Sequence, residues 1–184
     1  MADPTKHVQV VVVGGGFAGT YAAKELARHG VEVAIIDTNG YQTFQPMLYQ
    51  AATGITAVSD IEYPLADIPK VEAIKDTVTS VDLANSKVTL TSGNTIEADY
   101  IVVATGATVN FFGTTGAAEF AFPLYTSDDA VRIGQRGKQL AESGENFSVA
   151  VIGAGATGVE ISGAIIDTLY DLYPRTFPGF KREN

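Results

Sequence analysis

Val8-Gln9-Val10-Val11-Val12-Val13-Gly14-Gly15-Gly16-Phe17-Ala18-Gly19 decides how this chain folds. The β-branched run reads as a buried parallel strand, and Phe17 to His29 carries helical spacing through Tyr21, Leu26 and the neighbouring alanines. Between them stand glycines at G-x-G-x-x-G spacing. The first makes the tight turn, the second lets backbone amides approach a pyrophosphate, and the third lets the helix pack close to the strand. Such a helix faces an anion with its N–H groups and the positive end of its dipole. Gly30 ends the helix, and a second strand, Val31 to Ile36, leads to Asp37, about twenty residues beyond the turn, where an acid binds a ribose hydroxyl pair. A solvated turn aspartate would account for Asp37 but not for the whole constellation. Gly14, Gly15, Gly16, Phe17, Ala18, Gly19 and Asp37 are therefore the first candidate cofactor contacts.

The turn recurs at Gly153-Ala154-Gly155-Ala156-Thr157-Gly158. Phe147-Ser148-Val149-Ala150-Val151-Ile152 reads as its strand, and a helix runs on through Val159, Ile161, Ala164 and Ile165 toward Tyr173. Two such turns imply two dinucleotides and, with them, electron transfer. The second copy matches only in part. After Leu169 come two prolines and no β-branched run, and Asp171 sits at a helix end rather than a strand end. The second ribose site is about one strand short of complete.

Between the two turns, Thr77 to Asp82, Lys87 to Thr91 and Asn94 to Glu97 alternate in short stretches separated by turn-rich residues, as a β-meander replacing a helical crossover. Tyr100-Ile101-Val102-Val103-Ala104 is continuous and apolar, as expected of a central parallel strand, and ends at Thr105-Gly106, where ligands bind in such sheets. Ser127-Asp128-Asp129 reads as an N-cap with acids in the first turn of a helix reaching Glu142. The segment from Phe111 to Tyr125 reads as the link between domains. The aromatics Phe44, Tyr49, Phe111 and Phe112 read as core packing.

Composition fits a soluble α/β chain with one full domain and part of another. A formal charge of -9 without a basic cluster argues against nucleic acid and against a polybasic membrane patch. The start lacks the design of a secretory signal, so a cytoplasmic setting is expected. Val149 to Ile166 contains Glu160 and four glycines, which fits strand, turn and helix better than a membrane span. There is no cysteine, which removes disulfides, thiolate metal sites and a thiol relay from these residues. His7 and His29 have no ligand-spaced partner, and no metal site is expected.

Four stretches carry a resemblance. They are the first turn with Asp37; Phe44-Gln45-Pro46-Met47-Leu48-Tyr49-Gln50-Ala51-Ala52-Thr53-Gly54; Ala98 to Ala107 running on to Asn110-Phe111-Phe112-Gly113; and Gly153 to Glu160. Together they resemble the N-terminal part of the type II NADH dehydrogenases, the single-subunit NADH:quinone oxidoreductases among the two-dinucleotide-domain flavoproteins. The glycine turns are shared across that superfamily, whereas the Phe-Gln-Pro and Asn-Phe-Phe-Gly stretches resemble the quinone-reducing branch.

The resemblance implies a Rossmann-like FAD-binding domain with a β-meander crossover over residues 1–113. A linker and an incomplete Rossmann-like NADH-binding unit would follow over 114–184. Gly14, Gly16 and Gly19 would hold the FAD pyrophosphate, Asp37 its adenosine ribose and the backbone of Val78 its adenine. Gln45, Pro46, Ala104, Thr105 and Gly106 would lie along the flavin, and Gly153, Gly155 and Gly158 would receive the NADH pyrophosphate. Glu160 matches a family glutamate implicated in quinone or proton handling. On spacing alone Glu160 is a solvated helical acid, Val78 an ordinary strand residue and Gln45-Pro46 a rigid loop.

A complete relative passes hydride from NADH to FAD and two electrons on to a quinone. It meets the cytoplasmic membrane peripherally, through C-terminal helices not included here. This chain covers less than half of such a relative, so it is expected to be an N-terminal fragment inactive alone, prone to self-association through exposed helix faces. A noncatalytic FAD-binding module, or a flavoenzyme of another branch such as a ferredoxin reductase or NADH oxidase, stands as the alternative.

Overall fold

The computed structural model describes residues 6–177 and 179–180. The first residues, read above for a leader, and the last four, at the end of the proline-containing tail, lie outside the described residues. The chain packs as two units: residues up to Thr43 with Glu62–Ala107, and Phe44–Ile61 with the chain from Thr108 onward.

The first unit is built on β1 (Lys6–Val13), α1 (Phe17–Arg28), β2 (Val33–Asp37), β3 (Tyr41–Thr43), β4 (Glu62–Pro64), β5 (Val71–Lys75), β6 (Val78–Asp82), β7 (Lys87–Leu90) and β8 (Thr95–Val103). Six strands form one sheet in the order β5-β2-β1-β8-β7-β6, and β3 pairs with β4 in a small antiparallel hairpin. β5, β2, β1 and β8 are mutually parallel, while β7 and β6 run antiparallel as the meander. β2 up to Ile36 and the end of β1 are apolar and covered on both faces, whereas the later half of β8, apolar as expected from Tyr100 onward, exposes Tyr100 and Val103. Val8, Val11, Val13, Ala34 and Ile36 join Val88 and Ile96 on one side. Val10, Val12, Val33 and Ile35 meet Ala23 and Ala27 of α1, with Leu65 and Ile68, on the other. This double burial is what a parallel sheet requires.

Two departures from the sequence reading follow from neighbours. The third meander stretch and the central strand are a single strand, β8, whose first residues pair with both β7 and β1 and whose later ones continue along β1. β5, which the sequence reading does not anticipate, is an edge strand carrying Glu72 and Lys75, and charge on an edge is how sheets limit unwanted pairing.

The second unit is helical: α2 (Leu48–Thr53), α3 (Ala117–Phe120), α4 (Ser127–Ser143), α5 (Ala156–Asp167), a π-helical turn at Thr168–Leu172, and α6 (Tyr173–Thr176). Leu48, Ala51, Ala52, Ile61, Ala130 and Ile161 form its core, and Phe44 and Tyr49 pack against it as expected. Gly134 permits the close approach of α4 to α2, because a Cβ there would stand 3.3 Å from the Ala52 carbonyl oxygen.

Three sequence expectations are corrected here. Phe147–Ile152 is not a strand: no strand of either sheet comes from this unit among the described residues. A β-branched run becomes a strand only when another strand takes its hydrogen bonds, and Ile152 is instead 89% exposed. Phe112 is not core but exposed, in the left-handed region at φ 50°. The cap of α4 is Thr126, one residue earlier than Ser127. Its side chain accepts from the Asp129 N–H, and Asp129 Oδ2 returns a bond to the Thr126 N–H at 2.9 Å, a full capping box.

Asp129 is buried and accepts two further bonds, from Arg132 Nη2 at 2.5 Å and from the Tyr125 N–H at 3.1 Å. Burial pushes its carboxyl up, but the bonds from Arg132, Thr126 and Tyr125 outweigh that and hold it below the usual carboxylate value. Asp129→Ala is expected to cost about 2 kcal/mol at neutral pH, read from thermal melts. A carboxyl depressed in the fold stabilises above its unfolded pKa and loses that contribution on acidification. The gap between the two proteins should therefore narrow below about pH 4; a gap that stays constant would rule out the ionised cap.

Candidate dinucleotide sites

In the first unit the carboxyl ends of β1, β2 and β8 bring most of the expected contacts to one place. β1 passes into the turn, and Gly14 takes φ 106°, which a side chain rarely tolerates. A Cβ on Gly14 would lie 2.8 Å from the Ala104 carbonyl carbon and 3.2 Å from Thr105 Cα. Ala104, Thr105 and Gly106 thus run directly against the turn, and the Ala104 N–H donates to Val13 O at 2.8 Å. At Gly19 a Cβ would be driven into the Gly14 carbonyl, its carbon only 3.0 Å away. Helix and strand meet there with no room for a methyl group.

Asp37 ends β2 with its carboxylate already oriented. Oδ2 accepts from the Gly15 N–H and Oδ1 from the Asn39 N–H, both at 2.8 Å. Gly15 fills a motif position open to any residue, yet a Cβ would sit 3.0 Å from Asp37 Cβ and collide with Leu65. The acid therefore demands the extra glycine. Its own carbonyl accepts from the Asp76 N–H at 3.1 Å, and Thr38 and Thr77 hydroxyls meet at 3.0 Å. Val78, which opens β6, is thereby brought to the same end of the sheet.

The two turns have the same shape. Gly153 takes φ 117°, and the caps Gly16 and Gly155 share φ -74° with ψ near ±180°. A Cβ on Gly158 would collide with the Gly153 carbonyl just as at Gly19. Each turn opens a helix of twelve residues without a side-chain cap and without an acid in its first turn, in contrast to the fully capped α4. Helix N-termini that lack such a cap leave their first amides to another acceptor. A Cβ on Gly16 or on Gly155 would meet nothing within 4 Å, so both cradles are open where a pyrophosphate would approach.

In the second unit, Gln45 and Pro46 form a 3-10 turn before α2. Gln45 Nε2 donates to Tyr125 O at 3.2 Å. Glu160 is exposed on α5, close in sequence to the cradle of Gly153, Gly155 and Gly158. Sequence reasoning missed Thr20, which is 3% exposed and turns its hydroxyl back onto Gly16 O at 2.8 Å. A threonine directly after the third glycine is the only signal for it.

This double-cradle geometry defines a class. A family model described as pyridine nucleotide-disulphide oxidoreductase matches residues 8–172, and the chain belongs to that family. It is 35% identical to the type II NADH:quinone oxidoreductase Ndh of Mycobacterium tuberculosis, over 90% of this chain and 40% of that protein. Among solved structures, the sulfide:quinone oxidoreductase of Aquifex aeolicus aligns with a TM-score of 0.66 and 33% identity, over 74% of this chain and 32% of that one. NDH2 of Plasmodium falciparum, solved in complex with NADH, shares the fold at a TM-score of 0.81 and 20% identity, over 93% and 39% respectively. The chain spans about two fifths of the length of its curated relatives. Among the described residues no helix is long and apolar enough to cross a membrane.

Proposed function

We propose that the chain supplies the dinucleotide-binding part of an FAD-dependent NADH:quinone oxidoreductase, with FAD on the first turn and NADH on the second. The observation that carries this reading is the pair of open glycine cradles, of which, among the described residues, only the first has an acid at the end of its neighbouring strand. Gly14, Gly16 and Gly19 would let the pyrophosphate reach the amides at the start of α1, and Asp37 would accept from the adenosine ribose hydroxyls. The backbone at Val78 would face the adenine, and Ala104, Thr105, Gly106, Gln45 and Pro46 would border the flavin. Gly153, Gly155 and Gly158 would hold the pyrophosphate of NADH, with Glu160 handling protons or quinone. When bound, the flavin supplies the acceptor for hydride and the donor of electrons to a quinone; the protein orients the rings and excludes competing acceptors. Reduction of a quinone would place the whole protein at a membrane surface.

A second reading is a noncatalytic FAD-binding module. It is favoured by the second turn's having no strand beneath it among the described residues.

The test is to load the purified chain with excess FAD, desalt it and measure the flavin-to-protein ratio, expected near one for one complete site. NADH should then bleach the bound flavin, and menadione or ubiquinone should restore its colour. Flavin that binds but never bleaches would support the module; reoxidation by ferredoxin or dioxygen alone would eliminate the quinone assignment. A substitution sharpens the site itself. Gly16→Ala points a methyl into open space, so melting should shift by no more than about 2 °C, while FAD affinity should fall at least about tenfold as the cradle fills. Unchanged affinity would move the pyrophosphate away from Gly16.

A further inference from the structure

The hydroxyl of Thr20 has a partner that the glycine turn does not explain. Its Oγ1 lies 2.8 Å from Gly16 O and 3.2 Å from Phe17 O, the back-bonding common to threonines in helices. It also lies 3.1 Å from Gln42 Oε1, in β3 of the separate hairpin. A hydroxyl carries one proton and accepts with its lone pairs. Three acceptors thus face one proton; given to Gly16 O, the nearest of them, it leaves the oxygen to accept from Gln42 once the Gln42 amide makes the half-turn that brings Nε2 into the place of Oε1. The resulting relay runs from Gln42 to Thr20 to Gly16.

The duplicated turn supplies an internal control. Four residues after its cap stands Val159, which has no hydroxyl and is 65% exposed. Its N–H still donates to Gly155 O at 3.1 Å, as the Thr20 N–H does to Gly16 O at 2.9 Å, and the two caps share their backbone angles. The hydroxyl is therefore not needed to shape the turn. What it adds is a second donor on the Gly16 carbonyl, itself held from outside the helix by Gln42. Two donors on one carbonyl fix the plane of the Gly16–Phe17 peptide, at the helix end where an anion is received.

We propose that Thr20 and Gln42 are a positioning pair that holds this peptide in register with the FAD pyrophosphate. The inference rests on the reading of the first turn as an FAD site. FAD titrations of the full chain, followed by quenching of flavin fluorescence, test it with melting curves as the control for folding. Thr20→Val is expected to weaken FAD about tenfold, Gln42→Leu about threefold, and Thr20→Ser, which restores the hydroxyl, no more than about twofold. The proposal falls if both Thr20→Val and Gln42→Leu stay within twofold of the native chain. It falls equally if Thr20→Ser weakens binding as much as Thr20→Val, since packing of the methyl group would then be responsible. Should Thr20→Val fail to fold, Gln42→Leu decides: about threefold weakening supports the pair, and affinity within twofold of native overturns it. A native chain that folds yet holds no FAD overturns the flavin reading itself, an outcome distinct from equal affinities across the series.

Discussion

Gly19→Ala is expected to destabilise the first unit by about 3 kcal/mol and to leave no FAD bound after desalting. The methyl group would be driven into the Gly14 carbonyl and stand 3.3 Å from Val12 Cγ1. Neither neighbour can yield: one is the backbone of the turn and the other belongs to the buried central strand. Relief requires lifting α1 off the sheet, which uncovers Ala23 and Ala27 and splays the amides that would face the pyrophosphate. For a unit of this size the melting temperature should fall by on the order of 10 °C. Gly158→Ala makes the same collision with Gly153, but on an exposed turn with no strand beneath it among the described residues, so the first unit should melt unchanged. A Gly19→Ala chain that melts like the native one and retains flavin would show that helix and strand are not in the contact described.

Asp37→Ala is expected to weaken FAD by about a hundredfold while costing only about 1–2 kcal/mol of stability. The two effects separate because the carboxylate has two tasks. In the fold it accepts from the Gly15 and Asn39 N–H groups; Gly15 is buried, but Asn39 is exposed, so water replaces part of that loss. Toward a bound adenosine it would accept from two hydroxyls, and charge-assisted bonds of that kind are among the strongest. Asp37→Asn keeps acceptor oxygen but not charge and should fall between, at about tenfold. Equilibrium titration with FAD separates these values readily. Native affinity in Asp37→Ala would remove the ribose from this strand end and with it the assignment of the first turn.

How far the sequence alone could lead is best seen where two similar runs had different fates. Val8–Val13 and Phe147–Ile152 are both apolar, β-branched and followed by a glycine turn, yet only the first is a strand. A side-chain pattern reports what a segment can bury, whereas a strand exists through hydrogen bonds to neighbours that the pattern does not contain. β5 escaped notice for the converse reason: Glu72 and Lys75 suit an edge but break the apolar run. In the site, the glycines and Asp37 were legible because their spacing is itself the geometry of a turn and a crossover. Gln45, Pro46, Val78 and Glu160 came only from family resemblance, since nothing in their spacing specifies a ligand. Thr20 was invisible, because its role depends on Gln42 arriving from another element.

The pairing of β1 with β8 has a consequence in time. Val13 faces Val103, Val12 faces Val102 and Val11 faces Ile101, each pair ninety residues apart along the chain. The centre of the sheet thus closes through one of the longest loops in the unit, an entropic toll levied before any contact across it is gained. Topologies of this kind fold slowly. During synthesis from the N-terminus, β1 waits with one edge bare until Val103 has left the ribosome, and the glycine turn it carries meets Ala104 only then. The residues that would first touch the cofactor are made early but assembled late, so the interval in which this chain most needs protection from aggregation lies between translation of its first strand and of its eighth.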